Sequence, residues 1–145
     1  MEVEELRIGN LVTTVEGTKH FEKELKVEFL TNNNCYDLDA PLDSINGYEL
    51  NKVIPIKITE EWLVRFGFKR LDKGSVSAQF YIGENPLTHD WLFDLKWIKD
   101  YEKIPPYPLK GFPFYRNGLF EVKHVHQLQN LYFALTGEEL VLTDK

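Results

Sequence analysis

Residues 96–123 carry the side chains most suited to recognition. Six are basic (Lys96, Lys99, Lys103, Lys110, Arg116, Lys123) against three acidic ones, a local charge of +3, interleaved with Trp97, Tyr101, Tyr107, Phe112, Phe114, Tyr115 and Phe120. Unpaired bases stack on aromatic rings while cations track phosphates, so Lys99, Lys103, Lys110 and Tyr101 are candidate contacts to single-stranded nucleic acid. A protein partner is the preferred reading. Aromatics beside prolines commonly pin a loop onto a core, a charge of +3 is small, and interface hot spots favour large aromatics and arginine. Tyr107, Tyr115 and Arg116 are therefore the candidate partner-binding residues, on an ordered, exposed loop.

Other groupings point to less. His124 and His126 stand two apart and, on a strand, would face one metal with Glu121 as a third ligand. The helical pattern from Val125 onward sends them in divergent directions, so no metal site is expected. Cys35, the single cysteine, has neither a histidine nor a cation beside it to activate a thiolate, and reads as a small packing side chain. Asp37, Asp39 and Asp43 match a calcium loop only at its start, and Pro41 breaks the pattern. No G-x-S-x-G, Gly-rich phosphate loop or H-E-x-x-H occurs. An enzyme would have to be assembled from residues distant in sequence, and no catalytic residue and no cofactor are expected.

The elements that must position these groups are legible in the periodicity. Over residues 11–56, short alternating runs (Leu25, Val27 and Phe29; Tyr36 and Leu38; a further strand over residues 48–54) are broken by Gly17, by the three asparagines 32–34 and by Pro41. Thr59 before Glu60 and Glu61, with Arg65 and then Gly67, predicts a capped two-turn helix. Its Trp62, Leu63 and Phe66 must be buried and join the two halves of the chain, because so short a helix cannot persist alone. Residues 68–71 and 76–82 read as a hairpin, and residues 91–98 as a strand that buries Trp91, Phe93, Leu95 and Trp97. Four of the seven prolines fall within residues 105–113, which predicts an irregular connection over residues 104–118 with a P-x-x-P run as a rigid docking edge. A strand over residues 119–122 then leads into a helix whose Val125, Leu128, Leu131, Tyr132 and Leu135 recur at helical spacing and whose neutral polar face should also touch protein. Its start is poorly signalled, and residues 139–142 read as a closing strand.

At 145 residues, 43% hydrophobic and 28% charged, the composition is that of a globular protein of one domain or two small ones. A formal net charge of -6 argues against nonspecific nucleic-acid binding by the surface as a whole. Residues 1–10 hold three glutamates and no apolar run, and the chain has no apolar stretch of membrane-spanning length. With one cysteine, these features predict a cytoplasmic protein with no membrane association.

Three segments together carry a resemblance: Leu6-Arg7-Ile8-Gly9-Asn10-Leu11-Val12, the run IKITEEWLVRFGF from Ile56 to Phe68, and VHQLQNLYFALTGEEL from Val125 to Leu140. They resemble a group of small uncharacterised proteins of bacteroidete bacteria and their prophages, over both ends of the chain and little of residues 69–118. The resemblance implies a mobile-element context and no mechanism. Ile8-Gly9-Asn10-Leu11-Val12 also resembles the opening strand of SH3-like barrels.

The expectation is thus an α+β chain: residues 1–56 as a small SH3-like barrel or curled antiparallel sheet, and residues 57–145 as antiparallel strands with a short helix and a C-terminal helix, closely packed on the first part. The expected role is a non-catalytic interaction or accessory protein of a phage or mobile element, its partner another protein. Single-stranded nucleic-acid binding is the alternative, and an enzyme without a recognisable motif comes third.

Overall fold

The computed structural model describes residues 6–14, 24–27, 29–30, 34–37, 46–49, 53–74, 76–84, 91–99, 108–115 and 120–143. The chain is α+β and divides into two compact units. Residues Met1–Lys57 and His124–Ala134 form the first; Ile58–Lys123 and Leu135–Lys145 form the second. A single cut near Pro55 does not describe this division, because the chain returns to the first unit for most of its C-terminal helix.

Strands of the first unit are β1 (Leu11–Thr14), β2 (Leu25–Lys26), β3 (Phe29–Leu30), β4 (Asn34–Asp37), β5 (Asn46–Glu49) and β6 (Val53–Ile54). They pair antiparallel in the orders β2-β1-β6 and β3-β4-β5, two three-stranded sheets consistent with the curled antiparallel sheet expected of this part. The runs expected as single strands over residues 25–29 and 48–54 are each divided in two. Val27, fully buried between β2 and β3, still donates to Asn10 O at 2.8 Å and accepts from Gly9 N at 2.6 Å. Gly9 sits at φ +94°, the left-handed region that favours glycine.

Packed on this unit's opening strand is its helix; the full element, α2, spans Val125–Thr136. Its start, unsignalled by a Ser, Thr or Asp cap, is built from tertiary contacts. His124 N donates to Gln127 Oε1 at 3.1 Å, half of a capping box, while His124 O accepts from Leu128 N at 3.2 Å. Val125 N donates to Ile56 O at 2.8 Å, and His124 forms an antiparallel bridge with Lys57. The buried side of α2 holds Val125, Leu128 and Tyr132, but also His126 and Gln129. Leu135, expected on the apolar face, is half exposed instead.

Gln129 is 2% exposed, and its amide does the work of a strand. Its Oε1 accepts from Leu11 N at 2.8 Å and its Nε2 donates to Gly9 O at 3.0 Å. Beside it, the buried Asn10 accepts from Arg7 N at 2.7 Å and donates to Asn130 Oδ1 at 2.9 Å. Arg7 Nη1 donates to that same oxygen at 3.0 Å, with the guanidinium lying 4.1 Å from the Phe133 ring centre. The neutral polar face expected to touch protein does so here.

In the second unit α1 (Glu60–Arg65) begins at Thr59, whose hydroxyl accepts from Trp62 N. It ends in a Schellman motif: Phe68 N donates to Leu63 O and Gly67 N to Val64 O, both at 2.9 Å, with Gly67 at φ +89° and Leu63 and Phe68 buried together. Residues 139–143 are not a strand. They carry no regular structure and tether Thr143 N and Oγ1 to Arg65 O at 2.7 and 2.9 Å, satisfying a carbonyl the helix end leaves open.

The remaining strands, β7 (Lys69–Lys73), β8 (Ser77–Glu84), β9 (Trp91–Lys99), β10 (Leu109–Tyr115) and β11 (Phe120–Glu121), form one antiparallel meander in chain order. Strand β10 replaces the irregular connection expected over residues 104–118 along Leu109–Tyr115; residues 104–107 and 116–118 lie outside the described residues. Lys110 pairs with Ile98 and Phe114 with Lys96, so β10 holds two more residues than β9 over that interval. Gly111, at φ +70°, and Pro113 fall inside this bulge, where the ladder asks no amide of the proline. Pro113 O still accepts from Val122 N at 2.9 Å.

The amide clamp of the first unit makes a direct prediction. Gln129→Leu keeps the volume but leaves Leu11 N and Gly9 O buried without partners, at about 1–3 kcal/mol for each group. Denaturant titration should show the loss; a change below about 0.5 kcal/mol would show that the clamp is replaceable.

A candidate binding face

Side chains alternate across a strand, so the β8–β9 register assigns every residue of the meander to one of two faces. Ala78 opposes Trp97, Phe80 opposes Leu95 and Ile82 opposes Phe93. Apart from the half-buried Ile82, these residues are buried, as expected for Phe93, Leu95 and Trp97. Phe93 stacks on Tyr115 at 5.1 Å and meets Phe68 edge-on at 6.0 Å, while Phe80 meets Trp97 edge-on at 6.0 Å. Trp97 Nε1 donates to Lys110 O at 2.6 Å, which gives the buried indole its partner.

An ion-pair chain closes one margin of that covered face. Arg70 pairs in register with Phe80 and Asp72 with Ala78, which puts both charges on the covered side of the edge strand β7. Arg70 Nη1 reaches Glu60 of α1 at 2.8 Å, Arg70 Nε reaches Asp72 at 3.1 Å, and Lys99 Nζ lies 3.3 Å from the same Asp72 oxygen. Lys99, 3% exposed, also donates to Gly74 O at 2.6 Å. Partial burial opposes charge on Asp72, but the hydrogen bonds and charges of Arg70 and Lys99 outweigh it and hold the carboxyl below its ordinary range. Burial likewise opposes the charge of Arg70, yet its bonds to Glu60 and Asp72 keep that guanidinium above its ordinary value.

On the opposite, open face one row crosses all five strands: Leu71, Gln79, Lys96, Phe114 and Glu121 are successive register partners. Ile98 and Lys110 pair in the next row on one side, Lys69, Tyr81 and Asp94 in the next on the other. Lys69, Lys96, Lys110 and Lys123 are exposed, and so are Leu71 at 41% and Ile98 at 47%. Phe112 lies 5.5 Å from Phe114 between ring centres, and Lys123 Nζ stands 5.2 Å above the Phe112 ring. The two carboxylates are engaged: Asp94 accepts from Gln79 Nε2, and Glu121 is 3.6 Å from Lys123.

The candidates read from the sequence fare unevenly. Tyr115, taken for a partner contact, is 7% exposed and stacked in the core, because the strand it belongs to turns that ring toward Phe93. Lys99, taken for a phosphate contact, has its ammonium occupied inside the fold. Lys110 is exposed on the open face beside Ile98. Tyr101, Lys103, Tyr107 and Arg116 lie outside the described residues, as does the P-x-x-P run except Pro108. His124 and His126 have rings 5.9 Å apart and nearly parallel, and among the described residues no group of three His, Cys, Asp or Glu side chains is placed to hold a metal ion. Lys69, Leu71 and Tyr81 escaped sequence reasoning because only strand pairing brings them to Lys96; the alternation of Asp94 and Lys96 against Phe93, Leu95 and Trp97 was the one available signal.

Asp72 sets an acid limit on this scaffold. A carboxyl whose folded pKa is lowered adds stability above the unfolded value of about 3.9 and loses it as pH falls through the folded value. Asp72→Asn should therefore be less stable than the parent at pH 7, by roughly the 0.2–1 kcal/mol of a part-exposed ion pair. That difference should shrink below about pH 4; a difference independent of pH would remove Asp72 from the account. No protein-family profile, curated protein or solved structure matches the chain.

Proposed function

We propose that this chain is a non-catalytic interaction protein of a phage or other mobile element, acting in the cytoplasm, with the open face of the second unit's sheet as its contact surface. One observation carries the reading. The row Leu71, Gln79, Lys96, Phe114 and Glu121 runs across five strands and, with the neighbouring Ile98 and Lys110, sets exposed Leu71 and Ile98 and half-buried Phe114 among exposed lysines. A solvated antiparallel face ordinarily alternates to polar residues, and side chains of this kind ordered on a rigid sheet suit recognition. Among the described residues, Arg70 and Asp72, whose ionisation the fold perturbs, are committed to an ion-pair chain that ties α1 to β7, which is a structural use. The resemblance of both chain ends to small prophage proteins supports the mobile-element context. No helix among the described residues is long and apolar enough to cross a membrane.

Affinity capture from native lysate, comparing wild type with Leu71→Ser/Ile98→Ser/Phe114→Ser, tests this reading. All three positions lie on the open face, so circular dichroism should show an intact fold while the captured partner is lost. Ile8→Ser, at an exposed apolar position of the first unit, should retain the partner. Equal capture by all three proteins would contradict the assignment of this face.

A further inference from the structure

The open face is specific enough to name a partner class, an inference that rests on the contact surface assigned above. We propose that the face is a platform for single-stranded nucleic acid, with Phe112, Phe114 and Tyr81 as stacking surfaces and Lys69, Lys96 and Lys110 as phosphate contacts.

Charge is the first argument. Within a chain of formal charge -6, the described residues of this face include four exposed lysines, Lys123 among them, against two carboxylates, Asp94 and Glu121, each of which has a partner on the face. A net acidic chain repels polyanions in general, and a face on which the described cations outnumber the described anions draws them locally. The second argument is composition. Lysine is depleted at the cores of protein–protein interfaces, yet here Lys96 occupies the centre of the row, and it separates Leu71 from Phe114 so that no continuous apolar core forms. A protein partner would have to desolvate that ammonium. A phosphate backbone pairs with it and releases a counterion.

Ring geometry is the third. Phe112 and Phe114 are both half-buried, which fixes their orientation while leaving part of each ring accessible, and their mutual tilt of 53° offers two surfaces rather than one closed stack. Bases stack on such rings whatever their identity, so binding should be tolerant of sequence. Five strands span about 19 Å across the face, room for a short segment of unpaired strand. A duplex hides its bases and is read by elements that enter a groove, which a broad sheet face does not do.

The test is fluorescence anisotropy of the full chain with fluorescein-labelled oligothymidine, oligouridine and a DNA duplex, each about 15 nucleotides or base pairs long. Single strands should bind more tightly than the duplex. Log affinity should fall with log salt at a slope of about -2 to -3, roughly 20- to 60-fold between about 50 and about 200 mM, for three or four phosphate contacts. Lys96→Glu/Lys110→Glu should weaken binding at least about tenfold and flatten that slope, and Phe114→Ala should weaken it about tenfold at every salt concentration. Lys26→Glu/Lys57→Glu, exposed positions of the first unit with the same change of net charge, should bind as wild type once the small global charge effect is subtracted. Preference between the thymidine and uridine strands reports whether DNA or RNA is the better ligand. Absence of single-strand binding, equal affinity for the duplex, or equal losses in the two charge-reversed variants would overturn the proposal. If the oligonucleotides fail while the open-face serine variant still loses its captured partner, the nucleic-acid inference fails and the contact face stands; if that variant captures normally as well, both fail.

Discussion

The pairing of β8 with β9 is the constraint on which the second unit depends. Its register runs from Ser77 opposite Ile98 to Glu84 opposite Trp91, and it places Phe80, Phe93, Leu95 and Trp97 on one side of the sheet. Because side chains alternate with a period of two, a slip of one residue would exchange that set for Asp94, Lys96 and Ile98. Burying each large apolar side chain contributes roughly 1.5–3 kcal/mol, so the slipped pairing is excluded by several side chains at once. The same pleat that builds the core therefore orders Lys96 and Ile98 outward. The candidate surface and the core are two consequences of one register.

Holding this sheet in place requires devices that a purely apolar core would not need. Lys99 falls on the covered side because it continues the series 93, 95, 97, and its ammonium cannot remain there unpaired. Asp72 and the Gly74 carbonyl meet that demand from the neighbouring hairpin, and Arg70 passes the connection on to Glu60 at the start of α1. In the first unit, buried amides do comparable work. Gln129 and Asn130 on α2 hold Arg7, Gly9, Asn10 and Leu11 by hydrogen bonds, which joins the C-terminal helix to residues 7–11 near the start of the chain. The segment before α1 meets the helix start through Ile56 O and Lys57. Positions that read as a neutral polar stripe in the sequence are thus the means by which distant segments are tied.

Legibility followed the range of the physics involved. Local signals were reliable: Thr59 and Gly67 marked both ends of α1, and the alternation over β9 assigned its faces correctly. Where tertiary contacts decide, the sequence was mute. The start of α2 at His124 depends on Gln127 and on the Ile56 carbonyl, neither of which announces a cap on its own. Prolines misled in the opposite direction, since Pro113 was read as a breaker and instead occupies a bulge where its missing amide goes unneeded. That error carried Tyr115 out of the core, and a count of basic residues along the chain could not separate Lys99, which points inward, from Lys96, which does not. A face assembled from five strands has no linear signature.

The central claim, that single-stranded nucleic acid docks on the open face of the meander, is most directly tested by amide chemical-shift mapping of the ¹⁵N-labelled chain as unlabelled oligothymidine is added. The account predicts perturbations concentrated at Gln79, Tyr81, Lys96, Ile98 and Phe114, with Val125–Thr136 of α2 unmoved. Shifts centred instead on Arg7, Ile8 and Phe133, or spread evenly over both units, would contradict it.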